Sequence, residues 1–305
     1  MLVVGADENG LGPVLGPMIA TAVAIEVAAY DADALRSLGL SLSISDSKKT
    51  SAFGQMKFAE SLALAMAEAV AGAVPTTADD LLQSLSLESM DTLTSICPSA
   101  SKPQCWSTRV ALPCYGGDVD VGRRALRRLE AGGVVLRGAK TRVLCVKRLN
   151  QSHAGGTNKL ALDLHSFEAL IDELARMDPG DVTAICGMVG GFRKYVENFS
   201  RFRERGVDVI AEEKGRSAYR VRGLGTVSFE VDADDAHLPV ALASNLGKYV
   251  RELLMERQNQ FYLELDASLE RVSGYRDPRT KRFIAASAKL RRRLDVVDEC
   301  FQRRA

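Results

Sequence analysis

At 305 residues the chain exceeds the usual compact domain without demanding two. Hydrophobic residues at 46% and charged residues at 26% exclude disorder as the main theme. Forty basic residues against thirty-nine acidic ones leave a net charge of +1, so any nucleic-acid surface has to be local. No run of eighteen apolar residues occurs, which excludes a membrane-spanning helix of the ordinary kind. The opening MLVVGADENG lacks a basic segment before an apolar core, so a cytoplasmic location is the expectation.

In chain order, Leu2 to Ala6 and Met18 to Ile25 read as two strands of a hairpin, joined across a glycine-rich turn. Phe58, Leu62 and Met66 recur at four-residue steps and predict a helix that runs to about Ala73, before Pro75. Residues 76–141 have no clear period and are read as an insertion or small subdomain, with a helix within Asp79 to Leu93. Val143 to Val146 is a predicted strand. Leu160, Leu164, Phe167, Leu170, Ile171 and Leu174 form one apolar face, predicting an amphipathic helix over 158–177.

Val182 to Cys186 is the next strand, then a helix over about 191–204 and a strand from Val207 to Ala211. Tyr219 to Val221 and Thr226 to Val231 pair as a hairpin, and a long helix follows from Pro239 to Leu265. From Arg271 onwards eleven Lys/Arg face four Asp/Glu, in a basic segment with a helix near 283–304. Alternating strands and helices after an opening hairpin predict an α/β fold with a mixed sheet. Its core takes 1–75 and 142–270, with 271–305 as a C-terminal helical segment.

Six cysteines occur at 97, 105, 114, 145, 186 and 300, without a CxxC spacing. Free thiols acting as small apolar residues are the plain reading. A zinc site from Cys97, Cys105, Cys114 and His153 is a second reading, although these spacings follow no zinc-ligand pattern.

Asp7 and Glu8 end the first strand, and Asp232, Asp234 and Asp235 close another before the long helix. Each group has a plain reading, as a solvated strand end or as helix-capping acids. Brought together at one sheet edge, they would offer the hard oxygen ligands that Mg²⁺ prefers. Two such ions serve phosphodiester hydrolysis by activating water and stabilising the leaving oxygen.

The run Asp7-Glu8-Asn9-Gly10-Leu11-Gly12-Pro13, with Gly16-Pro17, resembles the opening motif of ribonuclease HII. Asp46-Ser47-Lys48 is similar to that family's Asp-Ser-Lys, and Asp234 followed by Ala243-Ser244, Lys248 and Arg251 is similar to its Asp…Ala-Ser-x-x-x-Lys-x-x-Arg segment. Gly274-Tyr275 resembles its C-terminal Gly-Tyr. The resemblance implies a ribonuclease H-like mixed sheet flanked by helices, and Mg²⁺- or Mn²⁺-dependent hydrolysis of the RNA strand of RNA/DNA hybrids. It implies Asp7, Glu8 and Asp234 as metal-binding catalytic carboxylates. Asn9, Gly10, Gly12, Lys48, Lys248, Arg251 and Tyr275 become substrate contacts.

Two departures stand out. Where the family carries Ile-Asp-Gly at a strand end, this chain has Ile185-Cys186-Gly187, and a thiol suits Mg²⁺ poorly. Three readings follow: catalysis has been lost, leaving a nucleic-acid-binding protein; Glu212 or Glu213 supplies the missing oxygens; or Asp7, Glu8 and Asp234 suffice. Leu11 stands where the family carries Arg, in a loop that reads the ribose 2′-hydroxyl at a ribonucleotide junction.

Overall fold

A computed structural model describes residues 1–45, 56–99, 103–190 and 193–304. The motif 46–48, including Lys48, lies outside the described residues. In chain order the elements are β1 (Leu2–Asn9), β2 (Met18–Glu26), α1 (Ala32–Ser41), α2 (Lys57–Ala71), α3 (Ala78–Leu85), α4 (Met90–Ser95) and α5 (Val119–Ala131). They continue with β3 (Val135–Leu144), α6 (Val146–Ala154), α7 (Lys159–Ala175), β4 (Val182–Gly187), α8 (Arg201–Arg205), β5 (Val207–Glu213), β6 (Arg216–Val221) and β7 (Gly225–Glu230). The last are α9 (Ala233–Ala236), α10 (Leu238–Leu263), α11 (Pro278–Ala286), α12 (Ala288–Arg293) and α13 (Asp298–Phe301).

The strands form one mixed sheet in the order β3-β2-β1-β4-β7-β6-β5. β1, β4 and β7 run parallel, while β2 and β3 extend the sheet antiparallel on one side and β6 and β5 on the other. The result is a mixed sheet flanked by helices, as the sequence predicts. Side chains alternate across the pleat. Val3, Ile19 and Val23 therefore pack with α2, α3 and α10, whereas Val4, Ala6, Ala20 and Ala22 pack under Leu164, Phe167 and Leu170 of α7.

α10 lies directly on β1: a β-carbon at Gly5 would stand 2.1 Å from the carbonyl carbon of Pro239. Only glycine permits that approach. It brings the first turns of α10 over the end of β1, where Asp7 and Glu8 sit.

The expected hairpins and the helix on 158–177 are present, with boundaries shifted by one to three residues. The segment 76–141 differs from the expectation. Its residues 135–141 form most of β3, and its helices share the core of α2 and α10. Glu60 of α2 ties it down by accepting from the amides of Cys114, Tyr115 and Gly117 at 2.7–2.8 Å. The strand was missed because Arg137, Lys140 and Arg142 interrupt its apolar alternation.

The helix expected over 191–204 is reduced, among the described residues, to α8. Tyr195, Phe199 and Phe202 are drawn into an aromatic cluster with Tyr219 and Phe229, and Glu168 caps the amides of Ser200 and Phe202. The helix near 283–304 is broken into α11, α12 and α13. Arg291, one of its basic residues, is buried against the Phe301 ring at 3.9 Å and paired with Asp298. Arg123 of α5 is paired with Glu68 and Asp120. No described helix is long and apolar enough to cross a membrane.

Candidate functional site

The C-terminal ends of β1, β4 and β7 open into a cleft of about 390 Å³. Asp7, Glu8, Glu230, Asp232 and Asp234 line it together with Lys248, Arg251 and Tyr275. Asn9, Gly10, Leu11 and Gly12 form one rim. The structure thus gathers Asp7, Glu8, Asp234, Asn9, Gly10, Gly12, Lys248, Arg251 and Tyr275, which are far apart in sequence.

Strand alternation sends Asp7 and Glu8 to opposite faces. Asp7 meets α10, where Ser244 bonds its carboxylate. Burial, then the charge of Glu8, raises the Asp7 pKa well above the usual carboxylate range; Ser244 opposes this and Asp234 adds to it. Mutual repulsion of this kind is what a bound divalent cation relieves.

Glu8, on the other face, shares its surroundings with a residue that sequence reasoning missed. Asp163 of α7 is 1% exposed and its Oδ1 has no hydrogen-bond partner. Burial, then the charges of Glu8 and Asp7, raises its pKa. The other buried acids of α7 have partners: Glu168 holds backbone amides and Asp172 faces Arg205 at 2.8 Å. A signal did exist. Asp163 falls between Leu160, Leu164 and Phe167, on the stripe that the 3.6-residue period assigns to the core.

Cys186 does not face the cleft. It pairs in register with Ala6 and is buried beside Tyr195 and Phe229, and burial, then the charges of Asp163, Glu230 and Asp7, raises its pKa. The residue of β4 that lines the cleft is Gly187, whose β-carbon would stand 2.8 Å from Asp7 Oδ1. Glu212 and Glu213 are not brought to this site either. They end β5, the edge strand, with β6, β7 and β4 between it and β1, which at about 4.8 Å per strand is roughly 19 Å. Glu212 accepts instead from the Tyr219 hydroxyl at 2.9 Å.

Several cleft residues are committed to holding its shape. Arg251, 1% exposed, donates to Ser273 O at 2.6 Å, pairs with Glu252 and lies 4.8 Å over the Tyr275 ring. Arg251 therefore props the rim, and its burial keeps the guanidinium from reaching out to a ligand. Gly10, at φ 94°, packs on Arg251, and its carbonyl accepts from buried Arg303. Asn9 donates to Ser244 O at 3.3 Å. Tyr275 is 47% exposed, and Gly12 has open space around it. Beside the cleft, His237 bridges Tyr30 (2.7 Å) and Glu230 (3.1 Å), and this contact lowers the Glu230 pKa to about 2.

The donor chemistry suits Mg²⁺ or Mn²⁺: carboxylate oxygens, one of them buried and unbonded. As they stand, no three His, Cys, Asp or Glu side chains among the described residues are close enough to hold one ion.

The zinc set read from sequence is not assembled. Cys114 sits beside Glu60, and His153 is exposed on α6.

No protein-family model and no curated protein matches the chain. Among solved structures, the chain is similar to one in the PCNA:RNase HII complex from Archaeoglobus fulgidus, at 19% identity and TM-score 0.48, covering 100% of this chain and 95% of that one. It is similar to ribonuclease H2 from Pyrococcus horikoshii OT3 at 14% identity and TM-score 0.46, covering 99% and 92%. It is also similar to Bst-RNase HIII in complex with Mn²⁺, at 14% identity and TM-score 0.48, covering 100% and 66%.

Proposed function

We propose that the chain is a divalent-metal-dependent nuclease that hydrolyses the RNA strand of RNA/DNA hybrids, or of duplexes containing ribonucleotides. The observation that carries this is the one cleft lined by Asp7, Glu8 and Asp234 together with Lys248, Tyr275 and the glycine rim. Asp7, Glu8, Asp234 and the buried Asp163 would hold Mg²⁺ or Mn²⁺. Bound there, the metal would supply an activated water and charge stabilisation at the phosphate.

The chain's own residues divide the remaining work. Ser244 holds the Asp7 carboxylate in place from α10. The rim at Gly10 and Gly12 lets a sugar-phosphate backbone approach closely. Lys248 lies where it can attract a phosphate, and the half-exposed Tyr275 ring offers a stacking face for a sugar or base. Leu11 lines the rim without a guanidinium, so backbone groups would carry any recognition of the 2′-hydroxyl.

A second reading is favoured by Cys186. With a thiol where the resemblance implies a metal-binding carboxylate, the cleft can bind a hybrid without turning it over. Incubating a labelled hybrid with Mg²⁺ and with Mn²⁺ separates the two. The nuclease reading expects products that disappear in Asp7→Asn and Asp234→Asn but persist in Glu212→Gln. Salt-sensitive binding with no product under either ion would establish the binding protein instead.

A further inference from the structure

Away from the cleft, four of the six cysteines meet. Cys97, just past α4, Cys105, in the loop that follows, Cys145, at the head of α6, and Cys300, in α13, line one small cavity with Trp106 and Lys147. All four are free thiols. They come from the segment 76–141, the core and the C-terminal helices, so no local repeat placed them together. The space between them is about 30 Å³, roughly that of two waters on a scale where one needs about 10–15 Å³.

We propose that Cys97, Cys105, Cys145 and Cys300 ligate one thiophilic metal centre, a zinc ion or an iron–sulfur core, which fastens the Cys/Trp loop and the C-terminal helices to the start of α6. Four sulfurs and no oxygen ligand is the donor set that soft-binding metals select over Mg²⁺. Burial raises the pKa of all four thiols, and the groups that oppose it are cations and N–H donors. Lys147 lines the cavity, the amides of Arg148 and Lys147 point at the Cys145 sulfur from the N-terminus of α6, and Arg257 acts on Cys105. Trp106 Nε1, also at the cavity, is buried beside the Cys97 sulfur, a donor that a metal-bound thiolate would engage.

As they stand, no three of these sulfurs are placed to hold one ion. Metal binding expels their protons, and rotation about the Cα–Cβ bonds brings the sulfurs inward. The frame is already braced. Gln104 donates to Cys300 O at 2.8 Å and accepts from the Tyr262 hydroxyl at 2.6 Å, so the loop bearing Cys105 is held against α13 and α10.

The test uses the full chain, expressed with added zinc or added iron and purified without oxygen. Metal and acid-labile sulfide are then counted and the visible spectrum recorded. About one zinc per chain, or iron with equal sulfide and a broad visible absorption, supports the proposal and tells the two sources apart. Cys145→Ser and Cys300→Ser should then lose at least about tenfold in bound metal, while Cys114→Ser keeps it. Should those variants not fold, alkylation of the wild type decides: metal should protect four thiols and a chelator should expose them. The proposal is overturned if neither metal is bound as purified or after anaerobic reconstitution, if metal content survives Cys145→Ser, or if the four cysteines are found joined as disulfides.

Discussion

Gly187 and Asp7 lie side by side at the ends of parallel strands, with room for only 2.8 Å between Asp7 Oδ1 and a β-carbon on Gly187. The position of β4 that faces the cleft is therefore bare, and the thiol one residue earlier serves the apolar layer. Cys186→Asp adds a further buried acid beside Asp163 and Asp7, so thermal denaturation in metal-free buffer should show a loss of about 3 kcal/mol or more. Gly187→Ala should crowd Asp7 and lower cleavage by about tenfold to a hundredfold with little change in melting temperature.

Asp7 and Asp163 are buried acids whose pKa values are raised. An acid of this kind favours the folded state while protonated. Its contribution is whole below the unfolded pKa and falls away as pH rises through the window up to the folded pKa. In metal-free buffer at neutral pH, Asp7→Asn and Asp163→Asn should therefore raise the melting temperature, by roughly 2–4 °C for each kcal/mol gained. Both should also lose the stabilisation that Mn²⁺ gives the wild type. Melting curves with and without Mn²⁺ check this, and a lower metal-free melting temperature in Asp163→Asn would remove it from the acid cluster.

Glu230 behaves in the opposite sense. His237 and burial act against each other on its carboxylate, the His237 hydrogen bond dominates, and the pKa falls to about 2. The stability it adds is present above the ordinary glutamate pKa and is lost as pH falls toward 2. Glu230→Gln should flatten the acid side of the stability profile between about pH 4.5 and 2. A wild-type acid limb in the mutant would contradict this.

Lys248 and Arg251 lie nearly one helical turn apart and should separate sharply by mutation. Lys248 lines the cleft and is only partly buried, so Lys248→Ala should weaken hybrid binding and reduce the salt slope by about one, leaving stability nearly unchanged. Arg251 is buried with Glu252, and Arg251→Ala should cost about 3–5 kcal/mol by leaving that carboxylate unpaired. Fluorescence binding titrations at several salt concentrations, beside urea denaturation, distinguish the two.

The strand ends at Asp7-Glu8 and the start of α10 near Asp234 were legible because hydrophobic period and turn residues mark element boundaries locally. The glycine rim was legible because its spacing is contiguous. Asp163 was hidden although its stripe position marked it, because an acid on an apolar helix face gains meaning only once the facing strand end is known. β3 was hidden by its charged residues, which an edge strand of the sheet accommodates.

By itself, the chain's order of residues determined its α/β class, its opening hairpin, its amphipathic helices and the resemblance carried by Asp7 to Pro13. Each of these depends on neighbours within a few positions, where helix and strand geometry leave little choice. Tertiary structure alone decided that Gly187 rather than Cys186 adjoins Asp7, that Glu212 and Glu213 lie at the far edge, and that four distant cysteines share a cavity. Those outcomes rest on strand register and on how helices seat against the sheet. A shift of one residue turns a side chain to the opposite face, and nothing local to a single strand sets that shift.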